Sequence, residues 1–350
     1  MIYRNMGKGE FRELLHANFE HKILDVHLEV TERCNYDCPY CYIHSDLGKV
    51  ISKEKFTLCV DKMQQEGVLY LTLSGGEPLS HPEFLWFYRY AKQKIPFVSV
   101  FTNGSLISEK WIDEWKKNPP YALEITLYGT TADAYDAIVQ RKGAFDHFSR
   151  VLEQLDENHI AYTLKTTITT ESERLSDYLE FSKQHHVPFR YDTLVIPCID
   201  RTSVNSQSFQ VSSLEAVKLV CENEHYIEKL RSNIPMDRTN EKYTCDAGET
   251  SLFIDASLRA GLCVAVRTPG YQITEETSLK QAAQALAMYK EGTLTPADQC
   301  YDCEERPFCR YCPGRFEAEG LSTKNPPEWA CSYAQKLKKY VQGVKVSYGG

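Results

Sequence analysis

The sequence predicts an α/β protein with a parallel sheet, followed by a smaller cysteine-rich segment. Strand-like and helix-like periods alternate through roughly the first 200 residues. Apolar residues make up 42% of a 350-residue chain, enough for a large core and a second, smaller one. Its 13 cysteines are grouped rather than scattered. Residues 1–21 are charged throughout and no apolar run approaches a membrane span, so the expected location is cytoplasmic with no membrane partner. In that reducing setting grouped thiols point to metal rather than to disulfides. The net charge of -8 argues against a nucleic-acid partner.

The elements follow in order. A first strand is expected at 24–31. A helix at 53–65 carries Phe56, Cys59, Val60 and Met63 on one stripe and is ended by Gly67. A second strand at 68–74 leads into Ser74-Gly75-Gly76-Glu77-Pro78. A helix then opens at Ser80-His81-Pro82-Glu83, a capping-box pattern with proline in the first turn. Strands at 97–102, 122–127, 162–169 and 189–195 alternate with helices near 108–117, 145–156 and 172–185, and a helix at 213–229 bridges to the C-terminal part. Such alternation implies right-handed crossovers, and in barrel-like versions the active site gathers at the C-terminal strand ends. The expected divisions are 1–23, 24–200, 201–240, 241–335 and a tail at 336–350.

Just past the first strand end the chain reads Cys34-Asn35-Tyr36-Asp37-Cys38-Pro39-Tyr40-Cys41. Three thiolates hold three irons of a 4Fe-4S cube and leave the fourth iron open to a ligand that is not protein. Zinc is the rival, with His44 as fourth ligand. After the second strand, paired glycines let backbone approach a ligand closely, beside a carboxylate that suits a cation. After the third, Thr102-Asn103-Gly104 is either an ordinary turn or a binding loop.

Cys34, Cys38 and Cys41, then Gly75-Gly76-Glu77-Pro78, then Thr126 and Lys165 at two later strand ends, resemble the radical S-adenosylmethionine superfamily. The resemblance implies a partial (β/α)6 TIM-like barrel, a 4Fe-4S cluster and S-adenosyl-L-methionine. It further implies one-electron cleavage to a 5'-deoxyadenosyl radical that abstracts a substrate hydrogen. Gly75, Gly76 and Glu77 would hold the methionine ammonium, Thr126 and Lys165 the carboxylate or ribose, and Tyr40 with backbone near Val195 the adenine. Thr126 departs from the commoner serine but keeps the hydroxyl. Lys165 reads equally as a solvated strand-end lysine.

The C-terminal third holds Cys245, Cys263, Cys300, Cys303, Cys309, Cys312 and Cys331. Paired C-x2-C motifs also suit a zinc ribbon, but seven thiols do not divide into fours. The set, opening at Cys245-Asp246-Ala247-Gly248, resembles the SPASM extension, with the Cys309 to Cys312 spacing one residue short. By that resemblance Cys245, Cys263 and Cys312 would serve one auxiliary 4Fe-4S cluster, and Cys300, Cys303, Cys309 and Cys331 another. Cys59 and Cys221 read as packing residues. Cys198, beyond the sixth strand, is either a rim cysteine or a catalytic hydrogen donor to a substrate radical.

The resemblance, with two auxiliary clusters, implies a peptide substrate, ribosomally made, and an oxidation, crosslink or epimerisation. A flavodoxin or ferredoxin reductant is implied as well. Too few residues precede the first strand for a leader-gripping module, so recognition falls to the barrel, to a separate leader-recognition protein, or to the amphipathic turn at Phe11, Leu14 and Leu15. Alternatives are a small-molecule substrate such as a haem precursor or sugar, and an anaerobic sulfatase maturase-like enzyme. The latter is weakened because Val264, not an acid, follows Cys263. Outside enzymes, the chain reads as an iron-sulfur electron carrier or a zinc-stabilised interaction protein. Tyr128, Arg190 and Asp192 flank strand ends as candidate pocket residues.

Overall fold

The computed structural model describes residues 22–43, 48–198, 206–222, 227–228, 230–231, 245–310, 312–320 and 325–343. His44 and the segment holding Phe11, Leu14 and Leu15 lie outside them, as does part of 201–240. The elements run β1 (Asp25–Thr31), α1 (Lys53–Glu66), β2 (Tyr70–Gly75), α2 (Phe84–Lys94), β3 (Phe97–Thr102), α3 (Glu109–Lys117), β4 (Ala122–Thr126), α4 (Ala132–Val139), α5 (Ala144–Glu157), β5 (Thr163–Thr167), α6 (Leu175–Gln184) and β6 (Phe189–Asp192). They continue with α7 (Ser213–Cys221), β7 (Ser251–Ile254), β8 (Arg259–Gly261), β9 (Tyr271–Gln272), α8 (Leu279–Thr293), α9 (Pro313–Ala318) and α10 (Glu328–Val341). All six expected strands are present, in a mostly parallel α/β arrangement.

Two compact units result. The first takes its described residues from Met1–Asn35, Ser45–Glu124 and Cys245–Lys290, the second from the remainder. In the first unit the strand order is β3-β2-β1-β7-β8-β9. Leu28 of β1 lies opposite Leu73 of β2 and Ile254 of β7, both in parallel register. That β7 joins this sheet was not foreseen, because Ser251–Ile254 is only four residues long and carries no alternation of its own. Val26, Leu28 and Val30 are fully buried, as is the α1 stripe Phe56, Cys59, Val60 and Met63. Ser52 caps α1 through its hydroxyl, and Gly67 ends it in the left-handed region at φ 76.

One helix start is corrected. The helix expected to open at Ser80-His81-Pro82-Glu83 begins at Phe84. Glu77 draws Pro78–Ser80 into a 3-10 turn by accepting from the Leu79 N–H, and the Ser80 hydroxyl donates back to the Glu77 carbonyl at 2.7 Å. Ser80 therefore closes a turn instead of capping a helix, and the Glu83 N–H is met by His81 Nδ1 at 3.1 Å.

The second unit pairs β5 with β6 in parallel, Lys165 opposite Arg190, and the Leu127 N–H donates to the Lys165 carbonyl at 2.8 Å. Helix α4, absent from the expected elements, is eight residues capped by Thr131, too short to show a clear period. Helix α10 runs through the boundary set at 335/336 and packs with α7, where the Trp329 indole donates to the Val211 carbonyl at 2.8 Å.

Candidate active site

In the first unit the C-terminal ends of β1, β2 and β3 meet around one carboxylate. Gly75 sits at φ +150, and a Cβ there would fall 2.1 Å from the Thr31 carbonyl oxygen; at Gly76 it would fall 2.5 Å from the Arg33 carbonyl oxygen. Only glycine lets these strand ends touch, and the contact is sealed by Gly76 N–H to Thr31 O at 2.8 Å and Glu77 N–H to Arg33 O at 2.9 Å. A close approach is thus made to the backbone that leads into Cys34.

Glu77 is fully buried. Its Oε1 accepts from the Leu79 N–H at 2.9 Å and from the Thr102 hydroxyl at 2.7 Å, and its Oε2 accepts from the Asn103 N–H at 2.7 Å. A buried carboxylate with three donors is a tie between loops, each bond to the charge worth about 1.5–3 kcal/mol. The Thr102 hydroxyl in turn accepts from the Gly104 N–H at 3.0 Å. Beyond it, Asn103 Nδ2 donates to Asn35 Oδ1 at 3.0 Å and lies 3.8 Å from Cys34 Sγ. Thr102 and Asn103 thereby join the site. Asn35 and Ser105 belong to it too and were missed; the available signal was a run of small polar residues directly past a strand end.

Further back in the same unit, Arg267 grips the fully buried Glu29 with both guanidinium arms at 2.7 Å and lies over the Phe253 ring at 4.3 Å. His27 Nε2 is hydrogen-bonded to the Ser74 hydroxyl. An acid inside an otherwise apolar alternation, Leu28-Glu29-Val30, was the sequence signal for this pair.

The cysteine loop leaves the first unit after Asn35. In the second, the Cys41 N–H donates to the Cys38 carbonyl at 3.0 Å, and all three thiols of the run are half-buried. The Tyr40 ring lies 6.0 Å from that of Phe209, and burial pushes its hydroxyl well above the usual tyrosine range. Thr126 and Lys165 are half-buried at β4 and β5. Val195 is buried; its N–H donates to Gln210 Oε1 at 3.0 Å and its carbonyl accepts from Gln207 Nε2 at 3.2 Å, so the backbone expected to face adenine is engaged by side chains of its own unit. Cys198 is buried three residues further on. Asp192 is held by Arg310 through both carboxylate oxygens at 3.2 Å, and the Tyr128 carbonyl accepts from the Tyr178 hydroxyl at 3.3 Å.

Of the C-terminal thiols, Cys245 and Cys263 fall in the first unit and the other five in the second. Cys263 is pushed up chiefly by burial and further by Cys245. Cys300 is raised by burial, then by Cys303 and Cys331. Cys312 Sγ accepts from the Arg315 N–H at 3.4 Å at the start of α9. None of the 13 cysteines, all described, is in a disulfide. Among the described residues no three or more His, Cys, Asp or Glu side chains stand gathered as a metal-holding group. Among the same residues no helix is long and apolar enough to cross a membrane.

The mostly parallel α/β fold carries a three-thiol run past its first strand and a glycine-carboxylate loop past its second. Residues 28–180 match the Radical SAM superfamily, so the chain carries a radical SAM domain. The cofactors of that domain are a 4Fe-4S cluster and S-adenosylmethionine. The donor set fits: thiols suit iron, and the amide of Asn103 points a donor at one of the sulfurs.

Among relatives, the chain is 31% identical over 158 residues to the antilisterial bacteriocin subtilosin biosynthesis protein AlbA of Bacillus subtilis, covering 44% of this chain and 33% of AlbA. It is 22% identical over 249 residues to the AdoMet-dependent heme synthase of Methanosarcina barkeri, covering 70% of this chain and 68% of that protein. The chain thus spans a third of the length of one and about two thirds of the other. Among solved structures, Streptococcus suis SuiB bound to precursor peptide SuiA superposes with a TM-score of 0.70 at 14% identity, covering 91% of this chain and 78% of SuiB, which establishes the shared fold.

Proposed function

We propose that this chain is a radical S-adenosylmethionine enzyme that takes hydrogen from a ribosomally made peptide, leaving a crosslink, an oxidised side chain or an epimerised centre. The observation that carries the chemistry is the junction of Cys34, Gly75-Gly76-Glu77 and Asn103 at three adjoining strand ends. The peptide class is supported by the bacteriocin biosynthesis relative, 31% identical over 158 residues, and by the seven C-terminal thiols. When bound, the cofactors supply one-electron cleavage of the sulfonium and a radical able to abstract hydrogen. The chain's own part would be to hold three irons through Cys34, Cys38 and Cys41, and the Gly75-Gly76 backbone lies against residues 31–33, which lead into Cys34. Thr126 and Lys165 would take the carboxylate or ribose, and Tyr40 with the backbone near Val195 the adenine.

In the SPASM-like C-terminal part, Cys245, Cys263 and Cys312 would hold one auxiliary cluster and Cys300, Cys303, Cys309 and Cys331 another, to accept the electron left on the substrate. Flavodoxin or ferredoxin would supply the reducing electron, and a separate protein is a candidate for leader recognition. A small molecule of the haem-precursor kind is the second reading, favoured by the heme synthase relative, which covers more of this chain than AlbA does. The test is anaerobic co-expression with short peptides encoded beside the gene, followed by mass spectrometry. A loss of two hydrogens, or deuterium uptake from heavy water without mass loss in ordinary water, supports the peptide reading. Unaltered peptides, with 5'-deoxyadenosine release rising on adding a porphyrin precursor, would overturn it.

A further inference from the structure

We propose that Asn103 is a positioning residue that sets the reduction potential of the cluster held at Cys34, by donating an amide hydrogen to the Cys34 sulfur. This rests on the cluster assignment above, and the geometry is specific to Asn103. Its Oδ1 accepts from the Ser105 backbone N–H at 2.9 Å and from the Ser105 hydroxyl at 2.6 Å. A backbone N–H only donates, so the oxygen of the amide must face Ser105 and the NH2 group must face the other way. One amide hydrogen goes to Asn35 Oδ1 at 3.0 Å. The ring then closes, since Asn35 Nδ2 donates to the Ser105 hydroxyl at 2.8 Å. The second amide hydrogen is left directed at Cys34 Sγ, 3.8 Å away.

Burial makes this contact matter. Asn103 is 3% exposed and Ser105 8% exposed, so water competes little for the amide. The Asn103 backbone N–H is anchored on Glu77, which fixes the residue from the main chain while Ser105 and Asn35 fix its side chain. Glu77 therefore acts on the cluster through Asn103, which gives the carboxylate a role distinct from meeting the cofactor itself. A donor aimed at a ligating sulfur stabilises the form with more electron density on that sulfur, here the reduced one. The step concerned is addition of one electron to the cluster from dithionite or a flavodoxin, with no bond made or broken and no proton moved.

The experiment is a mediated redox titration of the reconstituted full-length chain, followed by electron paramagnetic resonance. The Cys34 cluster is picked out as the signal whose g values shift when S-adenosylmethionine is added. Asn103→Ala should make it harder to reduce by at least tenfold in the reduction equilibrium, about 59 mV for one electron. Asn103→Asp keeps the volume and both Ser105 contacts but turns an oxygen toward the sulfur, and should shift it further in the same direction. If Asn103→Ala loses its iron, Asn103→Asp decides by the same potential. A midpoint within twofold of wild type in the iron-loaded variants overturns the inference. Absence of any S-adenosylmethionine-sensitive signal in the wild type would instead sink the underlying assignment.

Discussion

Glu77→Ala removes the acceptor for three donors at once: the Leu79 N–H, the Thr102 hydroxyl and the Asn103 N–H. All three lie in a fully buried setting, so water cannot replace the carboxylate without opening the loops. Hydrogen bonds to a charged acceptor are worth about 1.5–3 kcal/mol each, so the sum is about 4.5–9 kcal/mol, and partial relaxation places the expected loss near the lower end. Glu77→Gln keeps Oε1 and its two donors and sets an NH2 against the Asn103 N–H, so about 2–3 kcal/mol should go. The assay is anaerobic urea unfolding of both variants beside the wild type, with the midpoint and slope read together. The order wild type, Gln, Ala is expected, with iron loading at Cys34 falling in step. A Glu77→Ala chain as stable as wild type that has lost only its affinity for S-adenosylmethionine would refute this account and return the carboxylate to direct cofactor binding.

Three further outcomes follow from the same geometry. Arg267→Met takes the guanidinium away from the buried Glu29 carboxylate and should destabilise the chain by about 3–5 kcal/mol in urea melts, whereas adding Glu29→Gln should recover much of it; equal losses in the single and double variants would contradict the pairing. Burial lowers the His81 pKa below 6.5, and its ring is fixed as the neutral form, Nε2–H on the Ile51 carbonyl and Nδ1 accepting from Glu83 N–H. The unfolded chain then binds the extra proton more readily, so this contribution is complete above pH 6.5 and fades as pH falls below it. His81→Gln should flatten that part of the stability-pH curve, and an unchanged curve would exclude His81 as its source. Cys300→Ala or Cys331→Ala should leave uncoupled 5'-deoxyadenosine release within a few-fold of wild type and end product formation, while loss of both activities would make the C-terminal thiols structural.

Much of the parallel sheet was legible because its strands are short alternating or apolar runs cut by glycine and by charged helices. Leu24 to Val30 and the stripe Phe56, Cys59, Val60 and Met63 signalled their buried faces directly, and both are buried. The Ser80-His81-Pro82-Glu83 cap misled because the pattern is local, while the deciding contact is the Glu77 carboxylate on Leu79 N–H. Strand β7 escaped notice because its partner β1 lies over two hundred residues earlier, and four residues carry no period. At the site, the cysteine run and Gly75-Gly76-Glu77 stood out by spacing. What spacing does not tell is which loop a glycine approaches: Gly75 and Gly76 turned out to need their missing side chains against residues 31–33. Asn35 and Ser105 are ordinary loop residues in sequence and become notable only through a ring of side-chain bonds closed across some seventy residues of chain.

The central claim, a radical enzyme with further iron-sulfur clusters in its C-terminal part, is tested most directly by anaerobic reconstitution followed by iron and sulfide counting and an assay of reductive 5'-deoxyadenosine release. About twelve irons per wild-type chain are expected, with release, and about eight irons without release once Cys34, Cys38 and Cys41 are all changed to alanine. Zinc in place of iron, or release that persists in the triple variant, would contradict it.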